Sequence, residues 1–389
     1  MTAPPPIVPF PRAEFEARWE RLQRGMVEEG LDGLLITSQT NFEYVTGYRT
    51  PAWMIRSRPM LVLLPVEEEP TAIVSLTHAV ELEAEGLIDD LYAYDGFEAE
   101  ATVALLSALR DRGLAGSRLG IEAGLEQRLG IPLGQFRKLK SAFPGEQLPD
   151  GSGAIWRARM IKSEAEIARL RVAGRIAGEA YARLLSRLAP GWTERHVYQE
   201  ISQAVLELGG ESPGYVTMTA GKDGYHRHNG WPGDRCFEAG ELFWMDLGAT
   251  FQGYFSDYTR CASMGPPTQA QRDAYQLSLE MLDAALSVVR SGAETGEPVA
   301  AAAAAARRAG AELRVASRIG HGVGLDITEP PSLARGAGRL EEGMVLAVEP
   351  GVLTDHGWYH LEENVVVRGE GCEFLSARMP RELPVAGLE

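Results

Sequence analysis

Two aspartates in the stretch ELFWMDLGATFQGYFSDYTRCASMG (Glu241–Gly265) have the types and spacing to do chemistry. Leu242–Leu247 is a short apolar run of strand formers, Gly253 supplies turn chemistry, and Tyr254–Ser263 returns with polar and apolar residues mixed. The pattern predicts a β-hairpin turning near Gln252–Gly253. If Phe251 faces Tyr254, then Asp246 faces Thr259 and Asp257 is its diagonal neighbour. Side chains alternate across a strand, so both carboxylates share one face, with the diagonal Cα pair about 7–8 Å apart. Two acids projecting together beside Phe243 and Trp244 repel unless something cationic sits between them. Such a pair, taken alone, is ordinarily salt-bridged or exposed to solvent. This strand is too apolar for exposure, so further ligands are expected downstream.

Three more candidates follow. His321 lies in RIGHGVGLDITEPP, where glycines on both sides permit close backbone approach to a ligand. Glu349 ends MVLAVEP, and Glu362 lies in YHLEENVVV. An isolated glutamate is usually surface charge, but Glu349 is embedded in an apolar strand, where an unpaired carboxylate is costly to bury. Four carboxylates and one imidazole make a hard, oxygen-rich donor set. It suits paired divalent ions such as Mn²⁺ and also admits Co²⁺, Fe²⁺ or Zn²⁺. Two ions about 3.5–4 Å apart need bridging carboxylates, which paired acids on neighbouring strands can provide.

The elements that must position these residues occupy the second part of the chain. Ser163 and Glu166 form a capping box ahead of a helix carrying Ile167, Leu170, Gly174, Ala177 and Tyr181 at helical spacing. A second helix starts from Thr193, a third from Thr268 and Gln271, and a fourth, rich in alanine, from Pro298. Strands are expected at Met344–Glu349 and Tyr359–Val367, giving an α+β domain with helices outside a curved antiparallel sheet. Earlier in the chain, helical spacing at Ala13–Glu29, Ala101–Arg110 and Pro132–Ala142 alternates with strand-like runs. Those runs are Asp32–Thr37, Met60–Pro65, Thr71–Leu76 and Arg118–Glu122. Such alternation predicts an α/β domain with a mixed sheet. It contains no glycine-rich phosphate loop, and its one histidine, His78, reads as structural. The turn-rich Pro149–Ala154 marks the junction, dividing the chain into domains at 1–152 and 153–389.

With 389 residues the chain can bury two substantial cores. Its net charge of −16 argues against nucleic acid or an anionic membrane as partner. Three cysteines (Cys236, Cys261, Cys372) are too few for a disulfide framework and point to a reducing cytoplasm. The opening MTAPPPIVPFP has neither a basic region nor an apolar core, so no signal peptide is expected. No apolar run is long enough to span a bilayer.

Five motifs, RMIKSEAEI, MDLGATFQGYFSDYTR, GHGVGLDITEPP, VEPG and LEENVVV, occur in an order that resembles the pita-bread metallopeptidases. These are the Xaa-Pro aminopeptidases and prolidases, related to methionine aminopeptidases and creatinase. With the N-terminal α/β domain, which then looks creatinase-like, the similarity spans nearly the whole chain. The resemblance implies two divalent ions held by Asp246, Asp257, His321, Glu349 and Glu362, with Asp257 and Glu362 bridging. It further implies a bridging hydroxide as nucleophile and Glu349 as proton shuttle. His228 matches the family's upstream histidine, which contacts the substrate or the developing oxyanion. Its spacing to Gly240 is about one residue long, so His226 stays open as a substitute.

Two departures from the family pattern touch substrate contacts rather than metals. Thr328 stands where the family usually has histidine, and His360 where it often has arginine. Trp358, His360 and Glu362 alternate along the expected strand and so should face one side, which places His360 to reach a substrate carbonyl or carboxylate. A bond to neighbouring backbone is an equally open role for it. The activity implied is cleavage of the bond before proline in small peptides, as a dipeptidase or small aminopeptidase P. Homodimers are implied as well, in which the aromatic and basic segment Asn41–Arg56 either approaches the partner's site or packs on its own domain. The alternatives are a hydrolase or lyase of a small non-peptide metabolite, and a binding protein without catalysis.

Overall fold

The computed structural model describes residues 5–143, 145, 147–221, 224–227, 229–311 and 318–387. The chain forms two compact units, Val8–Arg159 and Met160–Glu389 with Met1–Ile7. The division falls at the end of a helix, Ser152–Met160, a little beyond the turn-rich junction.

In the first unit, β1 (Gly33–Ile36), β2 (Leu61–Pro65), β3 (Thr71–Ser75), β4 (Asp90–Tyr94) and β5 (Leu119–Ile121) form one sheet in the order β4-β3-β2-β1-β5. It is mixed: β1 runs antiparallel to β2 and parallel to β5, while β3 runs antiparallel to β2 and parallel to β4. Helices Arg12–Glu29, Glu98–Asp111 and Leu133–Ser141 lie where helical spacing put them. The strand β4 and the helices Gln39–Thr46 and Leu76–Glu85 were not legible. In β4 only Tyr94 is buried, so this edge strand has no apolar run to read. Helix Gln39–Thr46 depends on a distant partner. The buried carboxylate of Glu122 accepts from Thr37 N at 2.7 Å, Ser38 N at 2.9 Å and Asn41 Nδ2 at 2.6 Å, at the end where helix N–H groups lack partners. His78 is buried and packs its Nδ1 2.9 Å from the Tyr48 hydroxyl.

The second unit continues with β6 (Val216–Met218), β7 (Leu242–Leu247), β8 (Thr250–Phe251), β9 (Tyr254–Phe255) and β10 (Tyr258–Ser263). It closes with β11 (Gly320–Gly322), β12 (Val345–Val348), β13 (Gly351–Thr354), β14 (Gly357–His360), β15 (Glu363–Val367) and β16 (Cys372–Phe374). The expected antiparallel sheet takes the form of a three-stranded part, β10-β7-β6, and a four-stranded part, β11-β12-β15-β16, with short ladders β8-β9 and β13-β14. Ser163, Thr193 and Thr268 each cap a helix, accepting the N–H of the third residue onward. Caps of this kind contribute about 1 kcal/mol each.

One expected element divides in two. Tyr359–Val367 is not a single strand: it breaks at Leu361–Glu362, with β14 pairing to β13 and β15 pairing to β12. Strand alternation therefore does not relate His360 to Glu362.

Packing fixes which way Asp246 points. Phe243, Met245 and Leu247 join a core with Ile176, Ala177 and Tyr181 of helix Glu164–Arg187, while Leu242 and Trp244 join a separate core with Tyr275, Leu279 and Leu282 of helix Gln269–Leu286. Each large apolar side chain so buried contributes about 1.5–3 kcal/mol, so a register slip that exchanged the faces would be prohibitive. Period-two alternation leaves Asp246 on the Trp244 side. Cross-strand pairs Asp246–Thr259 and Phe251–Tyr254 form in the anticipated register. Between β8 and β9, Gln252 and Gly253 both adopt positive φ (49° and 83°), the geometry of a two-residue hairpin turn.

Helix and hairpin are joined through one carboxylate. Glu166 Oε2 accepts from Ser163 N at 2.9 Å, closing the capping box, while Oε1 accepts from the Tyr254 hydroxyl at 2.9 Å. Tyr254→Phe deletes a donor to a buried charged acceptor and should cost about 1–3 kcal/mol. The expected readout is a lower urea midpoint; an unchanged midpoint would show that this bond does not secure the hairpin.

Candidate metal centre

Five side chains reach the site from the ends and middles of these strands. Asp246 projects from β7, and Asp257 immediately precedes β10. His321 is the central residue of β11, Glu349 immediately follows β12, and Glu362 lies in the break before β15. Asp257, His321 and Glu362 are buried, and one ligand atom from each lies within 4.8 Å of the other two. His321 Nε2 is 3.5 Å from Asp257 Oδ2 and 3.6 Å from Glu349 Oε1. Asp246 is near enough for its charge to act on Asp257. Thr259, opposite Asp246 in the ladder, donates its hydroxyl to Glu362 Oε2 at 2.8 Å.

The surroundings aim each donor. His321 Nδ1 is 3.0 Å from the carbonyl of Gly322 and donates its proton there, which leaves Nε2 to face the carboxylates. The glycines beside it answer to neighbouring backbone rather than to a ligand. A Cβ on Gly320 would stand 2.1 Å from Ala347 O, and one on Gly322 would stand 2.3 Å from Pro330 O. Gly322 and Glu329 exchange backbone hydrogen bonds at 2.8 Å in both directions. Glu329 is in turn fixed by Lys162 at 2.8 Å, in a pair whose side chains are only 2% and 1% exposed. Removing one partner of such a pair costs about 3–5 kcal/mol, so the loop carrying His321 has little freedom to move. On the other wall, Asp257 N donates to Asn364 Oδ1 at 2.9 Å. Buried Arg260 pairs with Glu363 at 3.2 Å and donates to the carbonyls of Thr259 and Glu362, tying β10 to the Glu362 segment.

Electrostatics show what the site lacks. Burial, then the neighbouring charges of Glu362, Asp246 and Glu349, hold the Asp257 pKa well above the usual carboxylate range. Burial, then Asp246 and Glu349, do the same to Glu362. Asp246 is pushed up to about 6, again chiefly by burial. Among the described residues, Asp246 Oδ1 and Glu362 Oε1 are buried with no hydrogen-bond partner. Orphaned carboxylate oxygens, crowded acids and one imidazole nitrogen fit a hard divalent cation. Glu349 differs. Burial raises its pKa, but the hydrogen bond from His360 and the charges of His360, His321 and Arg318 outweigh that and bring it down to about 2.

The remaining candidates divide. His360 Nε2 is bonded to Glu349, 3.1 Å from the carboxylate and 2.9 Å from the main-chain carbonyl. Its ring stacks on Trp358 at 5.1 Å and tilts against Trp244 at 6.3 Å. Thr328 is half-buried in the loop after His321, and His226 is exposed. His228 lies outside the described residues.

A cleft of about 430 Å³ opens onto Asp246 and Glu349, walled by Trp244, Trp358, Pro350 and His360. Three further residues were not singled out from sequence. Arg318 lines this cleft with Nη2 3.9 Å from Glu349 Oε1, Asn229 lines it too, and Tyr215 donates its hydroxyl to Asn229 Oδ1 at 3.0 Å. Only Arg318 carried a signal, its place three residues before His321.

Comparison with known proteins gives two family matches. The model for metallopeptidase family M24 matches residues 168–369, and that for the creatinase/prolidase N-terminal domain matches residues 18–161. The Xaa-Pro dipeptidase of Lactobacillus delbrueckii subsp. lactis is 28% identical over 338 residues, 86% of this chain and 89% of that protein. Among solved structures, the Xaa-Pro dipeptidase from Bacillus anthracis superposes with a TM-score of 0.84 at 25% identity, over 95% of this chain and 99% of that one. Dipeptidase PepE from Mycobacterium ulcerans gives a TM-score of 0.82 at 27% identity, over 97% and 100%.

The carboxyl pKa values set the pH dependence of the metal-free fold. Asp246 has an ordinary value of 3.8 and a folded value of about 6. Between them the native state holds a proton that the unfolded chain has released, so the unfolding free energy falls as pH rises. Asp257 and Glu362, also raised, extend the loss to higher pH. His360, where burial is outweighed by Glu349 and its pKa is raised, loses stabilisation in the same direction. The lowered Glu349 acts oppositely, but only below its ordinary value of 4.5. Metal-free protein should therefore melt at a higher temperature at about pH 5 than at about pH 7.5, and saturating Mn²⁺ should abolish the trend. A metal-free melting temperature that rises over that interval would contradict this account.

Proposed function

Because this chain belongs to metallopeptidase family M24, the creatinase-related pita-bread metallopeptidases, we propose that it hydrolyses the bond before proline in small Xaa-Pro peptides. The observation that carries the reading is the convergence of Asp257, His321 and Glu362 within 4.8 Å beside an aromatic-walled cleft of about 430 Å³. A cleft of that size suits a dipeptide or the end of a short peptide. The dipeptidase names of the relatives support the same substrate class.

Asp246, Asp257, His321, Glu349 and Glu362 are the residues that would hold two divalent ions. Mn²⁺ best suits four carboxylates and one imidazole. Bound there, such ions supply Lewis-acid polarisation of the scissile carbonyl and of the attacking water. Glu349, kept ionised by His360, His321 and Arg318, takes the proton of that water on its carboxylate and returns it to the departing proline nitrogen. His360 orients Glu349 through the bond to its carboxylate, and the stack on Trp358 holds the imidazole in place. Trp244 and Trp358 offer flat apolar surface to a pyrrolidine ring and keep bulk water from it. Arg318, 38% exposed at the cleft wall, can meet a substrate carboxylate. His228 is assigned the family's contact to the substrate or developing oxyanion, and Thr328 a neutral substrate contact where the family usually has histidine. A homodimer working in the cytoplasm completes the reading. Among the described residues no helix is long and apolar enough to cross a membrane.

Metal analysis joined to a substrate screen tests this. Protein loaded with Mn²⁺ should turn over Xaa-Pro dipeptides or longer Xaa-Pro peptides, and a chelator should remove the activity until metal is restored. Full turnover by rigorously metal-free protein would overturn the mechanism. Hydrolysis of small non-peptide amides with no turnover of any Xaa-Pro peptide would overturn the substrate class alone.

The role given to His360 has its own test. His360→Ala should retain both ions but lose about 10- to 100-fold in kcat/KM, because Glu349 loses the partner that orients it. Loss of metal from the variant, or full activity, would show that His360 does not act through Glu349.

A further inference from the structure

Glu194 is the first residue of the helix Glu194–Glu207, and its buried carboxylate has no part in the proposed reaction. Its two oxygens are divided between backbone donors far apart in sequence. Oε1 accepts from Ala220 N at 2.8 Å, and Oε2 accepts from Gly233 N at 2.9 Å. Main-chain bonds from Glu194 N to Arg235 O at 3.0 Å and from Arg195 N to Gly233 O at 2.9 Å set the helix start against the second of these donors. A carboxylate that commits one oxygen to each of two separate stretches holds them at one spacing.

Ala220 and Gly233 are the two ends of a segment that borders the metal cleft, described at residues 221, 224–227 and 229–232. Asn229 of this segment lines the cleft together with Asp246, Arg318 and Glu349. Tyr215, Thr217 and Thr219 alternate along and beside β6, so their side chains share one face. Each hydroxyl donates to the segment: Tyr215 to Asn229 Oδ1 at 3.0 Å, Thr217 to Gly230 O at 3.4 Å, and Thr219 to Arg227 O. Thr217 stands opposite Asp246 in the ladder, so this is the face of the sheet that carries the site. At the ends, Gly221 N also donates to Glu241 Oε2, at a longer 3.3 Å. The Glu194 carboxylate joins one end to the other.

We propose that Glu194 is a positioning residue for substrate binding: by tying Ala220 to Gly233 it sets where Asn229 stands at the wall of the cleft. The inference rests on the prolyl-peptidase reading. On that reading the chemical step belongs to Glu349 and to the ions held by the five site residues. These stand on or beside β7, β10, β11, β12 and β15, and the Glu194 carboxylate bonds to none of them. Releasing the tie therefore loosens one wall of the cleft and leaves the reacting groups in place. A change that removes grip on the substrate without altering the chemistry raises KM and spares kcat.

The test replaces Glu194 by Gln and by Ala in the Mn²⁺-loaded enzyme and follows turnover of Ala-Pro and Leu-Pro. Glutamine has the same shape but keeps one acceptor and turns an amide N–H toward the other donor, whereas alanine keeps neither acceptor. KM should rise about tenfold in Glu194→Gln and further in Glu194→Ala, with kcat within about threefold of wild type. Mn²⁺ affinity, measured by calorimetry, should not change. A side chain that merely filled space would leave the Gln variant like wild type. Trypsin supplies a readout free of substrate: Arg227 is exposed on the segment, and cleavage after it should be about tenfold faster in Glu194→Gln. Thr219→Val, which removes the donor to Arg227 O, serves as a further variant if Glu194→Ala does not fold, and it should raise KM in the same way. An unaltered KM in Glu194→Gln, or a Mn²⁺ affinity that falls in step with activity, overturns the role and leaves the prolyl-peptidase reading standing. If the wild type turns over no Xaa-Pro peptide, that reading fails separately. The trypsin rates then decide the tie, and equal cleavage of wild type and Glu194→Gln overturns it.

Discussion

Mutual repulsion among buried carboxylates is the constraint on which the second unit depends. Two unit charges about 4 Å apart repel by roughly 4 kcal/mol at the effective dielectric of a protein site. Asp246, Asp257 and Glu362 crowd together with a single imidazole among them, and two of their oxygens have no hydrogen-bond partner among the described residues. No arrangement of apolar side chains relieves that. The acids protonate, as their raised pKa values indicate, or a cation joins them. Such a site is a liability in the folding of the bare chain and an asset once metal is bound, because binding to the native state alone adds directly to its stability.

Holding such a cluster together requires rigid walls, and buried ion pairs supply part of them alongside the sheet. Asp257, Glu349 and Glu362 all sit just outside strand ends, where Glu349 N still donates to Ile319 O at 2.8 Å and Glu362 N to Thr259 O at 3.4 Å. Lys162–Glu329 fixes the loop behind His321, and Arg260–Glu363 fixes the segment carrying Glu362. Buried pairs contribute little net stability, since desolvation offsets most of their attraction. What they impose is position: each charge is tolerable only where its partner stands. Glu166 does the same at lower stakes, joining a helix cap to a hairpin turn through its two oxygens.

Much of this was legible because it is local. The apolar runs around Gly253 gave the hairpin, its register and the shared face of the two aspartates, since period two and turn chemistry act within a few residues. Capping residues marked three helix starts for the same reason. What could not be read is set by partners distant in sequence. The break at Leu361–Glu362 exists because β14 pairs with β13 while β15 pairs with β12, and nothing within YHLEENVVV announces that change. The glycines around His321 looked like room for a ligand, but they are required by carbonyls of Ala347 and Pro330. Tyr215 gave no signal, because its relevance comes from Asn229 and from acids brought near it by the fold.

His360 shows how one residue change can redistribute roles within a site. An arginine at this position, as the family pattern often has, could span from the strand into the cleft with several donors to spare. Imidazole is shorter, and its Nε2 is committed to the Glu349 carboxylate and main-chain carbonyl while its face rests on Trp358. Its other nitrogen, Nδ1, is buried with no hydrogen-bond partner among the described residues. Besides His321, Glu349 has two cationic neighbours of different kinds: His360 in contact at 3.1 Å, and Arg318 at 3.9 Å, whose side chain is 38% exposed. Contact orients the carboxylate, whereas the looser, exposed guanidinium keeps donors for an incoming anion. On the proposed reading, the orienting and anion-binding roles that a single arginine could combine fall to two residues, one buried beside the strand break and one at the open wall of the cleft.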